Sequence, residues 1–275
     1  MVYRLPNYIT HAKINKSIIN YSWDDSDVDA GWDYSYSEKI ATQIESVSLR
    51  AKICLMIGTY EWILGRFQGM EQDPIFMYIA EAAWCANINK FYLIPQYELD
   101  EHDYAERSNY LGPIAGVLWC SGYSSLMGDL YVSDNTIHVD DDSTTLYEEY
   151  DDYYLDSWRE DLKFLITATL HILPTEKVSI FKQWLEGVVQ RLVKFYTLPE
   201  QDPFANLFGN KDEKSWLGDY VAIEILNLKR EYDPTEASQL LNQFLSQVNR
   251  NNPLLASEQA LKTKFAIPYQ LGELS

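Results

Sequence analysis

The sequence predicts an all-α protein, or one nearly so, folded as a single compact multi-helix unit over residues 1–275. Two observations favour this class. In most long segments the apolar residues recur at intervals of three and four, the period of an amphipathic helix. Proline, or aspartate followed by proline, stands where several of these segments begin, as is typical of helix N-termini. One short segment departs from the pattern: residues 130–139 predict a small β-hairpin, and a soft internal boundary is expected near residues 129–143.

The first half of the chain predicts two long helices. The first is expected to open at Ser37 and to end near residues 65–69, because its apolar residues step by three and four throughout. The second is expected to begin at Asp73-Pro74, with the aspartate as N-cap, and to run to about residue 89. Its centre is apolar nearly all round, which predicts a position inside the core.

The second half predicts further helices and one ambiguous segment. Residues 216–228 form a short apolar run that fits either a strand or a buried helix. One helix is expected to begin at Pro113, a second to run from about Thr145 to Ile172, and a third to run from Pro174 to about Phe195. A fourth is expected to begin at Asp233-Pro234, and a last helical turn is expected near residues 257–264.

The charge of the chain excludes several classes of partner. Forty-one Asp and Glu residues against 22 Lys and Arg residues give a net charge of −19 and a pI near 4.5. Such a surface repels phosphate backbones and anionic lipid, so we expect neither a nucleic acid nor a membrane as partner. It attracts basic proteins, and we expect this attraction to speed their association and to weaken with salt.

The chain is expected to be cytoplasmic. Its first residues contain no apolar run of signal-peptide length, and no apolar stretch of 18 residues occurs in the sequence. The cysteines, Cys54, Cys85 and Cys120, have no CxxC spacing and lie in apolar helical segments. They indicate buried, reduced thiols and no disulfide framework.

Recognised catalytic and cofactor motifs are absent from the sequence. It holds no Gly-rich nucleotide loop, no HExxH zinc motif and no GxSxG nucleophile elbow, so neither an enzyme activity nor a cofactor is expected. The best local metal candidate is His138 with Asp140 and Asp142, which would alternate onto one face of an extended segment; a solvated acidic loop is the favoured interpretation.

A second segment, residues 25–31, imitates the start of a calcium loop. Its glycine falls one place late, and Tyr36 stands where the bidentate glutamate is needed. We therefore interpret it as an acidic surface loop and expect no metal site.

Four charged residues lie in apolar helical surroundings and are expected to be structural and buried: Glu61, Arg66, Glu81 and Glu224. A buried carboxylate needs a partner or a raised pKa. One interpretation makes Glu61 or Glu81 a general acid or base in a cleft between helices. The favoured interpretation is structural, with one of these glutamates paired to Arg66 or Arg50 between packed helices.

The strongest functional signal is an acidic, aromatic segment from Asp140 to Asp161. It holds ten acidic residues and a single base, Arg159, which is a net charge of −9 in 22 residues. On the predicted helix the acids at 149, 152, 156 and 160 advance by three, four and four, so they form one acidic ridge apart from the apolar stripe.

This segment predicts a protein interface. Tyrosine and tryptophan are preferred interface anchors, and carboxylates steer a basic partner. An ordinary solvated helix face is the alternative, and smaller acidic clusters lie at residues 24–33 and 98–106. The candidate interface residues are Asp140, Asp141, Asp142, Tyr147, Glu148, Glu149, Tyr150, Asp152, Tyr154, Asp156 and Glu160.

Short motifs within residues 40–130 resemble a group of small helical bacterial proteins. These motifs are Glu61-Trp62 with Arg66-Phe67, Pro74 with Glu81-Ala82-Ala83-Trp84, and Leu111-Gly112-Pro113. In size, acidity, helical content and lack of catalytic motifs, the chain is similar to immunity proteins of bacterial polymorphic toxin systems. The resemblance implies a protein that binds a cognate toxin and blocks its active site; it assigns a role to no single residue.

The sequence thus leads to one main hypothesis and two alternatives. The main hypothesis is a non-enzymatic acidic protein that binds and occludes a basic toxin, with a nuclease as the most concrete case. The first alternative is a helical enzyme that uses Glu61 or Glu81. The second is a structural or adaptor protein that forms oligomers.

Overall fold

The computed structural model describes residues 3–15, 18–94, 107–127, 150–199 and 217–271, and for residues 107 and 150–157 it describes the backbone alone. The α-helices in these ranges are α1 Asn7–Thr10, α2 Ser35–Gln43, α3 Leu49–Phe67, α4 Ile75–Ile88, α5 Gly112–Trp119, α6 Tyr150–Ile172, α7 Thr175–Tyr196, α8 Ala237–Gln247 and α9 Glu258–Leu261. Short 3-10 helices lie at Lys90–Tyr92, Arg107–Asn109, Ile223–Leu226 and Pro234–Glu236, and a π-helix at Cys120–Met127 continues α5.

The prediction of an all-α fold is confirmed. Within the described ranges, β structure is limited to isolated bridges such as the one between Val47 and Thr197. In the same ranges, no helix combines the length and the apolar character that crossing a bilayer requires. The hairpin predicted at residues 130–139 and the boundary expected near residues 129–143 lie outside the described residues.

The first predicted helix is two helices, so the expectation of one continuous helix is wrong. Residues 44–48 separate α2 from α3, and their backbone pairs with the chain that follows α7. The N–H of Ser48 donates to the carbonyl of Tyr196 at 2.9 Å. The N–H of Leu198 donates in turn to the carbonyl of Ser46 at 2.9 Å. These bonds satisfy main-chain groups that have left the helical ladder, so the break depends on a long-range contact.

Other helix boundaries follow the sequence signals. Asp73 accepts the first N–H of α4 at 2.9 Å and so caps that helix. Asp233 accepts a backbone N–H at 2.9 Å and begins the 3-10 turn that leads into α8. Helix α6 ends at Ile172, and α7 begins directly after Pro174. The prolines and aspartates therefore place these boundaries to within a residue or two.

Residues 217–228, the described part of the ambiguous segment, form turns and extended chain around one 3-10 helix, so both the strand and the long buried helix are excluded there. Its main chain is satisfied from another helix. The guanidinium of Arg191 donates to the carbonyls of Ile225, at 3.1 Å, and Asn227, at 2.9 Å. Irregular buried backbone requires such donors.

Helix α3 lies at the centre of the fold. Every residue from Ile53 to Phe67 is buried, and the helix packs against α4, α6 and α7. One hydrophobic cluster connects residues from Leu5 to Tyr269. Any charged side chain in the second half of α3 is therefore inside the protein.

Residues 3–15, which we call the N-terminal strap, lie against α3 and α7. The ring of Tyr8 stacks on that of Trp184 in α7, with centroids 5.4 Å apart. Ile9 lies against Gly65 of α3, where an added Cβ would come within 2.2 Å of Ile9 Cγ2. The missing side chain at position 65 therefore lets the strap approach the backbone of α3 closely.

Candidate functional site

The described part of the predicted interface is the end of the acidic ridge on α6. Glu160 exposes 72% of its side chain. Residues 152 and 156 precede it by eight and four positions on the same helix, which places the three positions on one face. The structure describes the backbone alone for Tyr150, Asp152, Tyr154 and Asp156 of α6. Outside the described residues lie the cluster at residues 98–106, His138, and Asp140, Asp141, Asp142, Tyr147, Glu148 and Glu149.

Residues 24–33, which we call the acidic loop, lie beside α6 through aromatic contacts. The ring of Trp32 stacks on Phe164, with centroids 5.7 Å apart, and its centroid is 5.0 Å from that of His171. The ring of Trp23 is 6.1 Å from that of Trp32. Because Phe164 and His171 belong to α6, these contacts hold the acidic loop next to the helix that carries the ridge.

The aspartates of the acidic loop are of two kinds. Asp25 is structural: its Oδ1 accepts the indole N–H of Trp23 at 2.9 Å, and its Oδ2 accepts the N–H of Gly112, the first residue of α5, at 2.8 Å. The carboxylate therefore ties the loop to the start of α5, where the helix dipole favours a negative charge. The exposed aspartates are Asp24, Asp27, Asp29 and Asp33.

Local hydrogen bonds favour the ionised form of two exposed aspartates. Asp24 accepts the hydroxyl of Ser26 at 2.6 Å and its N–H at 2.9 Å, and these bonds lower the pKa of Asp24. Asp33 accepts the N–H of Ser35 at 2.9 Å, which lowers the pKa of Asp33. These two carboxylates therefore stay ionised at neutral pH.

Tyr34 directly follows the acidic loop and bonds to it. Its hydroxyl donates to Oδ2 of Asp29 at 2.8 Å. Burial first, then Asp29, then the charge of Glu160 raise the pKa of Tyr34 above its ordinary value. Asp29 is held by this bond in the acidic loop, and the contacts of Trp32 place the loop on the surface of α6. We call this surface the acidic face; its described members are Asp24, Asp27, Asp29, Asp33 and Glu160.

The single base of the predicted segment is turned toward α2. Arg159 pairs with Glu38, and it donates to Oγ1 of Thr42 at 3.0 Å. Lys163 Nζ lies 3.1 Å from Glu38 and 2.7 Å from Glu160. Hydrogen bonds from Arg159 and then Lys163 lower the pKa of Glu38. These ion pairs join α2 to α6 and partly neutralise Glu160, the last member of the ridge. The sequence pattern does not reveal this pairing.

Glu61 is fully buried in α3, and its hydrogen-bond partners are neutral donors. Its Oε1 accepts the hydroxyl of Tyr3 and, at 2.9 Å, the indole N–H of Trp84; its Oε2 accepts the hydroxyl of Tyr8. Burial raises the pKa of Glu61 to about 7, against the lowering effect of the three hydrogen bonds. The ion pair proposed for this residue is therefore replaced by bonds from the strap and α4.

Glu81 is also buried, and Glu224 is only partly so. Glu81 accepts the backbone N–H of Asn249 at 3.0 Å and the side-chain amide of Asn252 at 3.1 Å. Burial raises the pKa of Glu81, although these two bonds oppose the shift. Glu224 lies in the 3-10 helix after Ala222 and keeps partial contact with solvent, which corrects the expectation of a buried charge there.

The arginines proposed as partners donate to main-chain carbonyls, and each of them binds one at the C-terminus of a helix. Arg66, fully buried, donates to the carbonyls of Ile172, the last residue of α6, at 3.0 Å and of Ile18 at 2.7 Å. Arg50 donates to the carbonyl of Ile88, the last residue of α4, at 3.3 Å, and to that of Gly218 at 2.7 Å. The carbonyls at a helix C-terminus lack partners within the helix and carry partial negative charge, so they attract a guanidinium as a carboxylate would.

A groove of about 540 Å³ between α2 and α7 is lined by Lys39, Glu186 and Lys194 among others. Neither Glu61 nor Glu81 lines it. Within the described ranges, no cluster of three or more His, Cys, Asp or Glu side chains is arranged to hold a metal ion.

Comparisons of this chain with protein-family models, with curated proteins and with solved structures find no match.

Proposed function

We propose that this chain is a non-enzymatic acidic binding protein and, in the most concrete form, a cytoplasmic immunity protein that occludes a cognate basic toxin. A toxin that cleaves nucleic acid fits best, because its substrate groove must be basic to bind phosphates. The predicted contacts are those of the acidic segment, residues 140–161, extended by the acidic face.

The observation that carries the proposal is the adjacency of two acidic clusters that lie far apart in the sequence. Trp32 of the acidic loop packs on Phe164 and His171 of α6, the helix that also carries Glu160. The packing brings the aspartates of the acidic loop beside the helix that carries the ridge, together with partly exposed aromatic rings. Charge that is concentrated in this way steers a basic partner to one orientation, and aromatic rings supply the apolar contact that follows.

The environment of Glu61 argues against this residue as a general acid or base. A general acid or base needs contact with substrate, and Glu61 has no exposed surface and three donors already in place. Its raised pKa has a structural cause, burial, which does not require a catalytic function.

The direct test is protection in cells. The chain is expressed together with the toxin encoded beside its gene, and survival is compared with that given by an empty vector. The proposal predicts survival close to that of cells without toxin. Equal killing with the chain and with the empty vector would refute the immunity function.

A second test locates the interface. Replacing Asp152 and Asp156 by lysine should slow association with that toxin by about tenfold or more at low salt and should flatten its salt dependence. The matched control replaces Glu231 and Glu236, which are exposed ahead of α8, by lysine and so changes the net charge equally. If both pairs have the same effect, only the overall charge matters and the interface does not include the ridge.

A further inference from the structure

Two parts of the chain converge on one buried carboxylate. Tyr3 and Tyr8 come from the N-terminal strap, Trp84 comes from α4, and all three donate to Glu61. The strap supplies two of the three donors. If the strap leaves, Glu61 loses these donors and gains water.

The geometry points to a pH-sensitive latch: we propose that protonation of Glu61 holds the N-terminal strap on α3, and that loss of this proton loosens it. This inference does not depend on the proposed function, because it uses no residue of the acidic segment or of the acidic face.

The physical reason is the absence of a counter-charge. An ionised carboxylate is stabilised by water far more than by a dry site, and neutral donors recover only part of that loss. A protonated carboxyl loses little on burial. A tyrosine hydroxyl both donates and accepts, so Tyr8 can remain bonded to Glu61 in either state. Docking therefore favours the protonated form, and the ionised form favours release.

The tyrosine and cysteine side chains around Glu61 stay protonated through neutral pH. Burial, followed by the charge of Glu61, raises the pKa values of Tyr3, Tyr8 and Cys54 well above their ordinary values, so these groups stay protonated. From α4, Glu81 contributes a small additional negative charge at Tyr3, and from α7 the neighbour is the uncharged ring of Trp184. Among the described residues, no cation contributes to the pKa of Glu61.

The expected size follows from linkage between docking and protonation. With a pKa of about 7 in the docked state and an ordinary value of 4.5 in the released state, the docking constant should fall about 40-fold between pH 5 and pH 7 and about twofold more by pH 8. The docking constant thus stops falling steeply near pH 7, and this bend in its pH profile is the feature that the experiment should detect.

Hydrogen exchange of the intact chain tests the latch. Protection of peptides from residues 3–15 is measured between pH 5 and pH 8, corrected for intrinsic exchange, in the wild type and in Glu61→Gln. We expect wild-type protection to fall by tens-fold up to pH 7 and the variant to stay within about threefold across the range. We also expect strap peptides to exchange faster than peptides from residues 53–67, because release of the strap leaves α3 folded.

Either of two results would overturn the proposal: the same pH profile in both proteins, or equal exchange in the strap and in α3. Tyr8→Phe gives a readout that remains decisive if Glu61→Gln does not fold. Removing one donor to the carboxylate raises the pKa of Glu61 further. The protection curve of Tyr8→Phe should therefore lie at higher pH than that of the wild type. A role limited to packing would leave the midpoint of that curve in place.

Discussion

The side-chain amide of Asn252 donates a hydrogen bond of 3.1 Å to Oε2 of Glu81, a residue 171 positions earlier in the chain. The same amide also donates to the carbonyl of Tyr78 at 2.9 Å, and Oε1 of Glu81 accepts the N–H of Asn249. The turn that follows α8 is thereby fastened to the middle of α4. The carboxylate acts as a structural acceptor for a segment whose own backbone is irregular.

Removing this acceptor should destabilise the fold. We expect Glu81→Ala to lower the free energy of unfolding by about 2–4 kcal/mol, because it removes the acceptor of the Asn249 N–H and of one Asn252 amide hydrogen and opens a cavity. Glu81→Gln should cost about 1–2 kcal/mol, since its amide can accept only one of the two bonds. Urea unfolding measures both values. The control is Glu258→Ala in α9, which loses only an exposed ion pair with Lys262 and should change the urea midpoint only slightly. A midpoint for Glu81→Ala equal to that of this control would contradict the anchoring role.

The contact between Ile9 and Gly65 makes a second prediction. A Cβ at position 65 would come within 2.2 Å of Ile9 Cγ2, an atom held on a β-branched side chain that cannot swing away. Gly65→Ala should therefore destabilise the protein by about 1–3 kcal/mol. In the Ile9→Ala background the same change should cost much less, and the difference is the coupling energy of a double-mutant cycle.

Gly187→Ala in α7 is the matched control for this cycle. Its Cβ would meet only the end of the Leu228 side chain, 2.5 Å away, which can rotate aside. Because alanine also favours helix over glycine, we expect a net change below about 1 kcal/mol. A cost at position 187 as large as at position 65 would show that strap contact is not the cause.

Asp25 and Asp27 should separate stability from binding. Asp25→Ala removes the acceptor for the N–H of Gly112 and for the indole of Trp23, so we expect a loss of about 1–2 kcal/mol in urea unfolding. Asp27→Asn changes an exposed carboxylate and should leave the urea midpoint unchanged while weakening association with a basic partner. Equal stability of the two variants would contradict the structural role of Asp25.

The pH dependence of stability should have two limbs. A carboxyl whose pKa is raised on folding, as for Glu61 and Glu81, binds its proton more tightly in the native state. The free energy of unfolding then falls as pH rises above the ordinary carboxyl pKa, and for Glu61 this fall extends to about pH 7. Asp24, Asp33 and Glu38 have lowered pKa values, so their contribution is present above the ordinary pKa and is lost as pH falls through the folded value.

We therefore expect maximum stability near pH 5 in a series of urea midpoints from pH 3 to pH 8. Glu61→Gln should remove about 2 kcal/mol of the decline between pH 5 and pH 7 and leave the acid limb intact. A wild-type midpoint that rises with pH over that interval would have the wrong sign for this assignment.

The sequence predicts helix boundaries correctly where the residue that sets the boundary acts on the backbone next to it. Asp73 and Asp233 accept nearby backbone N–H groups, and Pro174 precedes α7, so these boundaries can be read from a few residues. The break at residues 44–48 could not be read in this way. It is stabilised by pairing with the chain near Thr197, and no pattern inside the segment encodes that contact.

The candidate site shows the same limit. The acidity of residues 24–33 and of α6 is evident from composition, but their adjacency depends on the packing of Trp32 against Phe164. The partners of Arg50 and Arg66 were expected to be carboxylates because charge is visible in a sequence. The carbonyl groups that they bind are present at every residue, and only the fold determines which of them are left without a donor.

The N-terminal strap has a consequence for the order of assembly during synthesis. Its stacking partner, Trp184, lies in α7, and Lys177 of the same helix donates to the carbonyl of Ala12 at 2.9 Å across 165 positions of chain. The ribosome makes the strap well before it makes α7, at a rate of about 5–20 residues per second. For about ten seconds or more, the apolar side chains of the nascent strap therefore lack the α7 surface on which they pack. Docking of the strap is a late step in folding.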